Sequence, residues 1–244
     1  MRRDALTMAT GYWARRARRH LLIMAASAVL SLLVYAVAND KPTVAFRSSM
    51  AFGYASLALL ALSLAIGPWR VLRGRPNPVS TDLRRDVGIW SALLALAHVA
   101  TGLAVHMQGK FWLYFISPPE ARQAFPLRLD PFGLANHTGL AATIILALLL
   151  AISNDRSLRG LGTGRWKSVQ RLNYLAAALI ALHGAAYVLM DKRAIGFVAL
   201  FLVLLAIATA LQLAGMRRLR ATGPRARTPR AASIDLPGEN AHAP

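Results

Sequence analysis

The chain has 244 residues, 56% of them apolar and only 16% charged, yet its formal net charge is +19. A soluble domain carries about 25% charged residues, so this composition argues against a soluble enzyme, and the basic excess has to be located before it is taken for a nucleic-acid footprint. There is no cysteine, which excludes disulfides, iron–sulfur clusters, thiolate metal sites and cysteine nucleophiles and leaves histidine as the main candidate for binding a transition metal.

In chain order, residues 1–20 form a basic N-terminus with six arginines and an interfacial His20. The first of six charge-free apolar segments follows at 21–38. Ala36-Val37-Ala38 fits a signal-peptide cleavage site, but an apolar run of 18 residues is long for a signal peptide, and the segment reads as a retained helix. The second segment is 48–67, and the connection after it carries Arg70, Arg73, Arg75, Arg84 and Arg85. The third, 87–108, contains His98 and His106. The connection 109–131 holds Phe111, Trp112, Tyr114, Phe115 and Phe125 among Pro118, Pro119 and Pro126, a pattern that predicts a short interfacial helix broken by prolines. The fourth segment, 132–153, has His137 near its start. Arg156, Arg159, Arg165, Lys167 and Arg171 follow, with Gly160-Leu161-Gly162-Thr163-Gly164 read as a flexible turn. The fifth segment, 172–190, contains His183, and the sixth is 194–216. Residues 217–244, rich in Arg, Ala and Pro, read as a disordered cytoplasmic tail drawn to anionic lipid.

Each segment has 18 to 23 residues, enough for a helix to cross about 30 Å of hydrocarbon. Nothing alternates with the period of a strand, and the mixture of Leu, Ala, Val, Gly and Ser suits helices packed closely in lipid. The expected fold is all-α: a polytopic membrane protein, with a six-transmembrane-helix bundle over residues 21–216. Under strict alternation 22 of the 29 basic residues fall on one side. The positive-inside rule therefore predicts both termini in the cytoplasm, with the chain in a bacterial-type inner membrane. The basic excess becomes a topology signal.

Histidine inside a span is costly and points to function. His98 and His183 each stand 12 residues beyond the last charge before their spans, Asp86 and Arg171. Both therefore lie about 18 Å from the inner end of two parallel helices. Two imidazoles at one depth suit the axial positions of a haem iron. Ala95, Ala97 and Gly102 around His98, and Ala181, Gly184 and Ala185 around His183, leave room for a macrocycle. The bland alternative is a pair of histidines that hydrogen-bond within the bundle. His106, eight residues past His98, is rotated by about 80° and faces roughly but not closely the same way. With His137, near the outer end, it is a candidate for holding a second cofactor, contacting haem propionates or lining an exterior substrate site, the alternative being two ordinary interfacial histidines.

These residues carry a family resemblance. Arg84-Arg85-Asp86-Val87-Gly88-Ile89-Trp90 followed by Ala95-Leu96-Ala97-His98, and Arg165-Trp166-Lys167-Ser168-Val169-Gln170-Arg171-Leu172-Asn173-Tyr174-Leu175 ending at Ala181-Leu182-His183, resemble the haem-bearing helices of the ferric reductase-like transmembrane family. Within it they are most similar to the MsrQ/YedZ-type membrane haem subunit of periplasmic methionine sulfoxide reductase systems, over about residues 50–213. The resemblance implies a haem-b electron-transfer protein in which His98 and His183 are the axial ligands. Gln170 stands where the family usually has another histidine, and no histidine lies beside Arg84 and Arg85. One haem in the middle to outer membrane is therefore expected; a second would need His106 or His137.

Arg84, Arg85, Arg165 and Arg171 are candidates for contacts to propionates, a flavin phosphate or lipid head groups. No strand-plus-glycine phosphate loop is present, so the expected reductant is quinol or a separate flavoprotein, with FMN or quinone as possible further cofactors and a periplasmic reductase subunit as the partner. The competing readings are a histidine-dependent metal-ion transporter, which the absence of Asp and Glu from all six spans disfavours, and a cofactor-free membrane anchor.

Overall fold

The computed structural model describes residues 2–75, 82–118, 120, 125–191 and 193–222, with backbone alone for 2–10 and 108. It contains seven α-helices among those residues: α1 (Arg2–Val37), α2 (Val44–Leu72), α3 (Asp82–Gly102), α4 (Pro131–Ala151), α5 (Asp155–Gln170), α6 (Leu172–Met190) and α7 (Ile195–Thr222). Five helical stretches are long and apolar enough to cross a membrane by length and composition, those of α1, α2, α4, α6 and α7. α3, of 21 residues, occupies the place of the remaining expected span. It is less apolar because its first turns carry Arg85 and Asp86, both buried against the protein.

α1 starts at Arg2, so the basic N-terminus is helical, and α7 continues to Thr222, six residues past the end expected from hydropathy. Residues 223–244, which include most of the predicted disordered tail and His242, lie outside the described residues.

Three features pin the helices. The buried Asp86 carboxylate accepts from Arg16 at 3.2 Å and Arg19 at 3.1 Å, with His20 Nε2 at 3.3 Å. His20 Nδ1 in turn accepts from the Trp90 indole at 3.2 Å. This cluster holds α1 on α3. In α2, Pro68 has no N–H, so the carbonyl of Leu64 one turn earlier loses its helical partner. Gln212 of α7 donates to that carbonyl at 2.8 Å, restoring a bond that lipid cannot supply. Gly215 lies against the same proline: a Cβ there would stand 2.8 Å from the Pro68 side chain. Between α2 and α3, Ser56 and Ser91 exchange hydroxyl-to-carbonyl bonds at 2.9 and 3.0 Å, the close approach that small residues permit in lipid.

The connections are more structured than expected in two places. The glycine-rich run at 160–164 holds a turn at Gly162 (φ 70°, ψ 159°), but helical residues flank it on both sides within α5. Asn154 caps α5 by accepting from the Ser157 N–H at 2.8 Å, and the Trp166 indole donates to the Ile152 carbonyl at the end of α4 at 3.1 Å. The aromatic connection after α3 holds two short 3-10 turns, Met107–Gly109 and Phe111–Tyr114, rather than one interfacial helix. Beyond them Ile116 and Leu127 form a single antiparallel bridge. α4 then starts on Asp130, whose carboxylate accepts from the Gly133 N–H at 2.7 Å, with Pro131 in the first turn.

Candidate functional site

α2 packs on α3 and α4 packs on α6, leaving α3 and α6 facing each other across a cavity of about 430 Å³. That volume falls in the range of small-molecule and cofactor pockets. His98 of α3 and His183 of α6 both line it. Their ring centres are 6.1 Å apart and their planes are inclined by 82°.

Each ring is held in the same way from the neighbouring helix. His98 Nδ1 lies 2.8 Å from the carbonyl of Ser49 and 3.1 Å from the Ser49 hydroxyl. His183 Nδ1 lies 2.9 Å from the carbonyl of Ala135. A carbonyl can only accept, so Nδ1 carries the proton in both rings. In the neutral imidazole this leaves the Nε2 lone pair free for a metal.

The carbonyls are reachable because the residue one turn further along each helix is glycine. A Cβ on Gly53 would stand 2.9 Å from His98 Nδ1, and one on Gly139 would stand 2.6 Å from His183 Nδ1. α2 and α4 therefore present equivalent cradles, a carbonyl and a glycine four residues later, to the two histidines.

This geometry fits a haem. Two imidazoles that bind one metal between them at about 2 Å per bond have ring centres about 6 Å apart. The 6.1 Å separation meets that requirement, and Ala95, Ala142 and Gly184 give the cavity walls without bulk. The residues missed by sequence reasoning are Ser49, Gly53, Ala135 and Gly139. Their signal was weak: glycines in spans that otherwise pass for helix-packing positions.

His106 lines the same cavity, but not by the helical rotation expected from its spacing. α3 ends at Gly102 because the Tyr114 hydroxyl donates to the Gly102 carbonyl and accepts from the His106 N–H, both at 2.9 Å, and the chain turns there. Burial pushes the Tyr114 hydroxyl above its ordinary pKa, opposed by the His106 N–H. The His106 ring packs against Phe46, Tyr114 and Phe132. His137 packs against Phe115 with its Nε2 buried and without a partner. Among the described residues no group of three or more His, Asp or Glu side chains could hold a metal ion.

Arg84, Arg85 and Arg171 line a second, smaller cavity of about 180 Å³, with Lys167, Gln170 and Trp166, where α3 and α6 begin. Arg85 is buried and paired with Asp155 and Asp82. Leu146 borders both cavities.

Comparison with known proteins adds two findings. The family model described as the ferric reductase like transmembrane component matches residues 52–182, a stretch that includes His98 and stops one residue before His183. The heme-binding subunit MsrQ of the protein-methionine-sulfoxide reductase of Deinococcus radiodurans is 33% identical over 132 residues, covering 54% of this chain and 57% of that protein.

Proposed function

We propose, from the premise that this chain belongs to the ferric reductase-like transmembrane family, that it is a haem-b electron-transfer subunit of a membrane oxidoreductase. The observation that carries the proposal is the pair His98–His183: ring centres 6.1 Å apart, with both Nδ1 atoms engaged by backbone carbonyls and both Nε2 lone pairs left free. When bound, the haem supplies one-electron chemistry. The chain would hold it with His98 and His183, orient the two rings through Ser49 and Ala135, and keep water out with apolar walls.

We propose a single haem. The arrangement of the remaining histidines supports this, since His106 and His137 pack against different aromatic side chains. The inner cavity contains Gln170 where a further ligand would be needed. Its cationic rim of Arg84, Lys167 and Arg171 suits the anionic part of an electron donor, and we assign the entry of electrons from a quinol or a separate flavoprotein to that end. Exit is then at the opposite end, beside the exposed Phe111 and Trp112, toward an acceptor or partner reductase. The basic residues crowd the end where α3 and α6 begin, so the positive-inside rule supports a bacterial-type inner membrane with both termini in the cytoplasm and the exit facing the periplasm. The relative is named as a subunit of a methionine-sulfoxide reductase, which supports a periplasmic reductase as partner.

The test is optical. Full-length protein purified from cells supplied with haem gives a reduced-minus-oxidised spectrum of b type. A colourless preparation from such cells contradicts the proposal and returns the chain to a transporter or a cofactor-free anchor.

A further inference from the structure

The cavity between α3 and α6 has mostly apolar walls, yet one strong cation faces it. Among the described lining residues Arg193 is the only lysine or arginine. It stands in the connection between α6 and α7, ten residues beyond His183. Its side chain is only 13% exposed. Nη2 donates to the Asp191 carboxylate at 3.2 Å, while the Nε–H is buried with no hydrogen-bond partner. The guanidinium lies beside the Tyr54 hydroxyl and within electrostatic reach of both imidazoles. A buried N–H on a cation without a partner calls for an explanation, and an absent ligand group is one.

We propose that Arg193 anchors a haem propionate and so sets the direction of the haem in the cavity. The inference rests on the reading that His98 and His183 hold a haem. A haem carries both of its carboxylates on one edge and is apolar elsewhere. A carboxylate brought into a cavity of low polarity needs a cation and a hydrogen-bond donor. Asp191, which also lines the cavity, accepts from Nη2, so the Nε–H is the donor left for the propionate. The apolar edge of the macrocycle then points away from the α6–α7 connection, toward Leu146 on the wall shared with the second cavity. Arg84, Arg85 and Arg171 border that second cavity instead, which leaves Arg193 as the cation placed to meet a propionate. The acidic edge of the haem faces the end from which electrons leave.

Loading full-length protein from haem-limited cells with ferric protohaem, or with its dimethyl ester, separates a propionate contact from a structural one. Loss of each ligand to a haem-scavenging apoprotein is followed optically. Arg193→Gln is expected to lose protohaem about tenfold faster than the wild type, the equivalent of one charge-assisted hydrogen bond, and to lose the diester at the wild-type rate. Arg193→Lys, which keeps the charge without the planar fork, falls between the two and serves also if the glutamine variant does not assemble. Equal loss of protohaem from wild type and Arg193→Gln, or faster loss of both ligands from the variant, overturns the proposal. A His183→Ala protein that retains haem as firmly as the wild type overturns the underlying reading instead, whatever Arg193 does.

Discussion

His98 and His183 face each other at 6.1 Å between ring centres, and neither is positioned by its own helix alone. Each is steered by a carbonyl of the adjacent helix, Ser49 for one and Ala135 for the other. The site is thus built by two helix pairs, α2 with α3 and α4 with α6, and its spacing depends on how closely each pair approaches.

Gly139→Ala tests that dependence. Glycine to alanine inside a helix ordinarily stabilises it by up to about 1 kcal/mol. Here the added Cβ would stand 2.6 Å from His183 Nδ1, so the ring must move off the Ala135 carbonyl. The expected outcome is a folded protein with less haem and an altered ligand-field spectrum, read by absorbance and electron paramagnetic resonance. Gly53→Ala is expected to act in the same direction on His98, more weakly, because its contact distance is 2.9 Å.

The Pro68–Gln212 pairing gives a double-mutant cycle. Gln212→Leu leaves the Leu64 carbonyl without the donor it has at 2.8 Å, at a cost of about 1 kcal/mol. In a Pro68→Ala background the restored backbone N–H can take that carbonyl, and the same substitution becomes nearly neutral. Denaturant unfolding in detergent micelles measures both arms. An equal cost in the two backgrounds would contradict the compensation.

Asp86→Asn removes the charge that Arg16 and Arg19 share. Breaking a buried pair from one side costs about 3 kcal/mol or more, and the loss falls on the docking of α1. Hydrogen exchange is expected to accelerate in α1 and to remain unchanged in α4 and α6.

The cap of α4 gives a pH dependence. Burial works against the Asp130 carboxylate, but the Gly133 N–H and Arg128 outweigh it and hold the carboxyl below its ordinary value. A carboxyl depressed in the folded state contributes stability above its unfolded pKa, about 3.9, and that contribution disappears as pH falls through the folded value. Thermal stability from this residue is therefore flat between about pH 5 and 8 and falls below about pH 4. Asp130→Ala is expected to remove about 1 kcal/mol at neutral pH, and the difference from the wild type should shrink in acid.

The spans and the equal depth of His98 and His183 were legible in the sequence because charge-free runs and helical rise are properties of one dimension. The spacing of 12 residues from Asp86 and from Arg171 needs no knowledge of neighbours. What packs beside a span was not legible. Ser49, Gly53, Ala135 and Gly139 acquire meaning once α2 is known to lie on α3 and α4 on α6. His106 reaches the cavity it shares with His98 through the turn after Gly102, where Tyr114 ends the helix, and that route depends on a contact that helical spacing does not carry. In the sequence Arg193 is one more charge in a connection between spans; its approach to the cavity depends on how the chain between α6 and α7 folds.

The central claim is one haem held between His98 and His183, and haem per chain is its most direct test. Pyridine haemochrome analysis against protein concentration is predicted to give one haem b per wild-type chain, none in His98→Ala or His183→Ala, and one in His106→Ala and His137→Ala. Two haems per wild-type chain, or undiminished haem in either His98→Ala or His183→Ala, would contradict it.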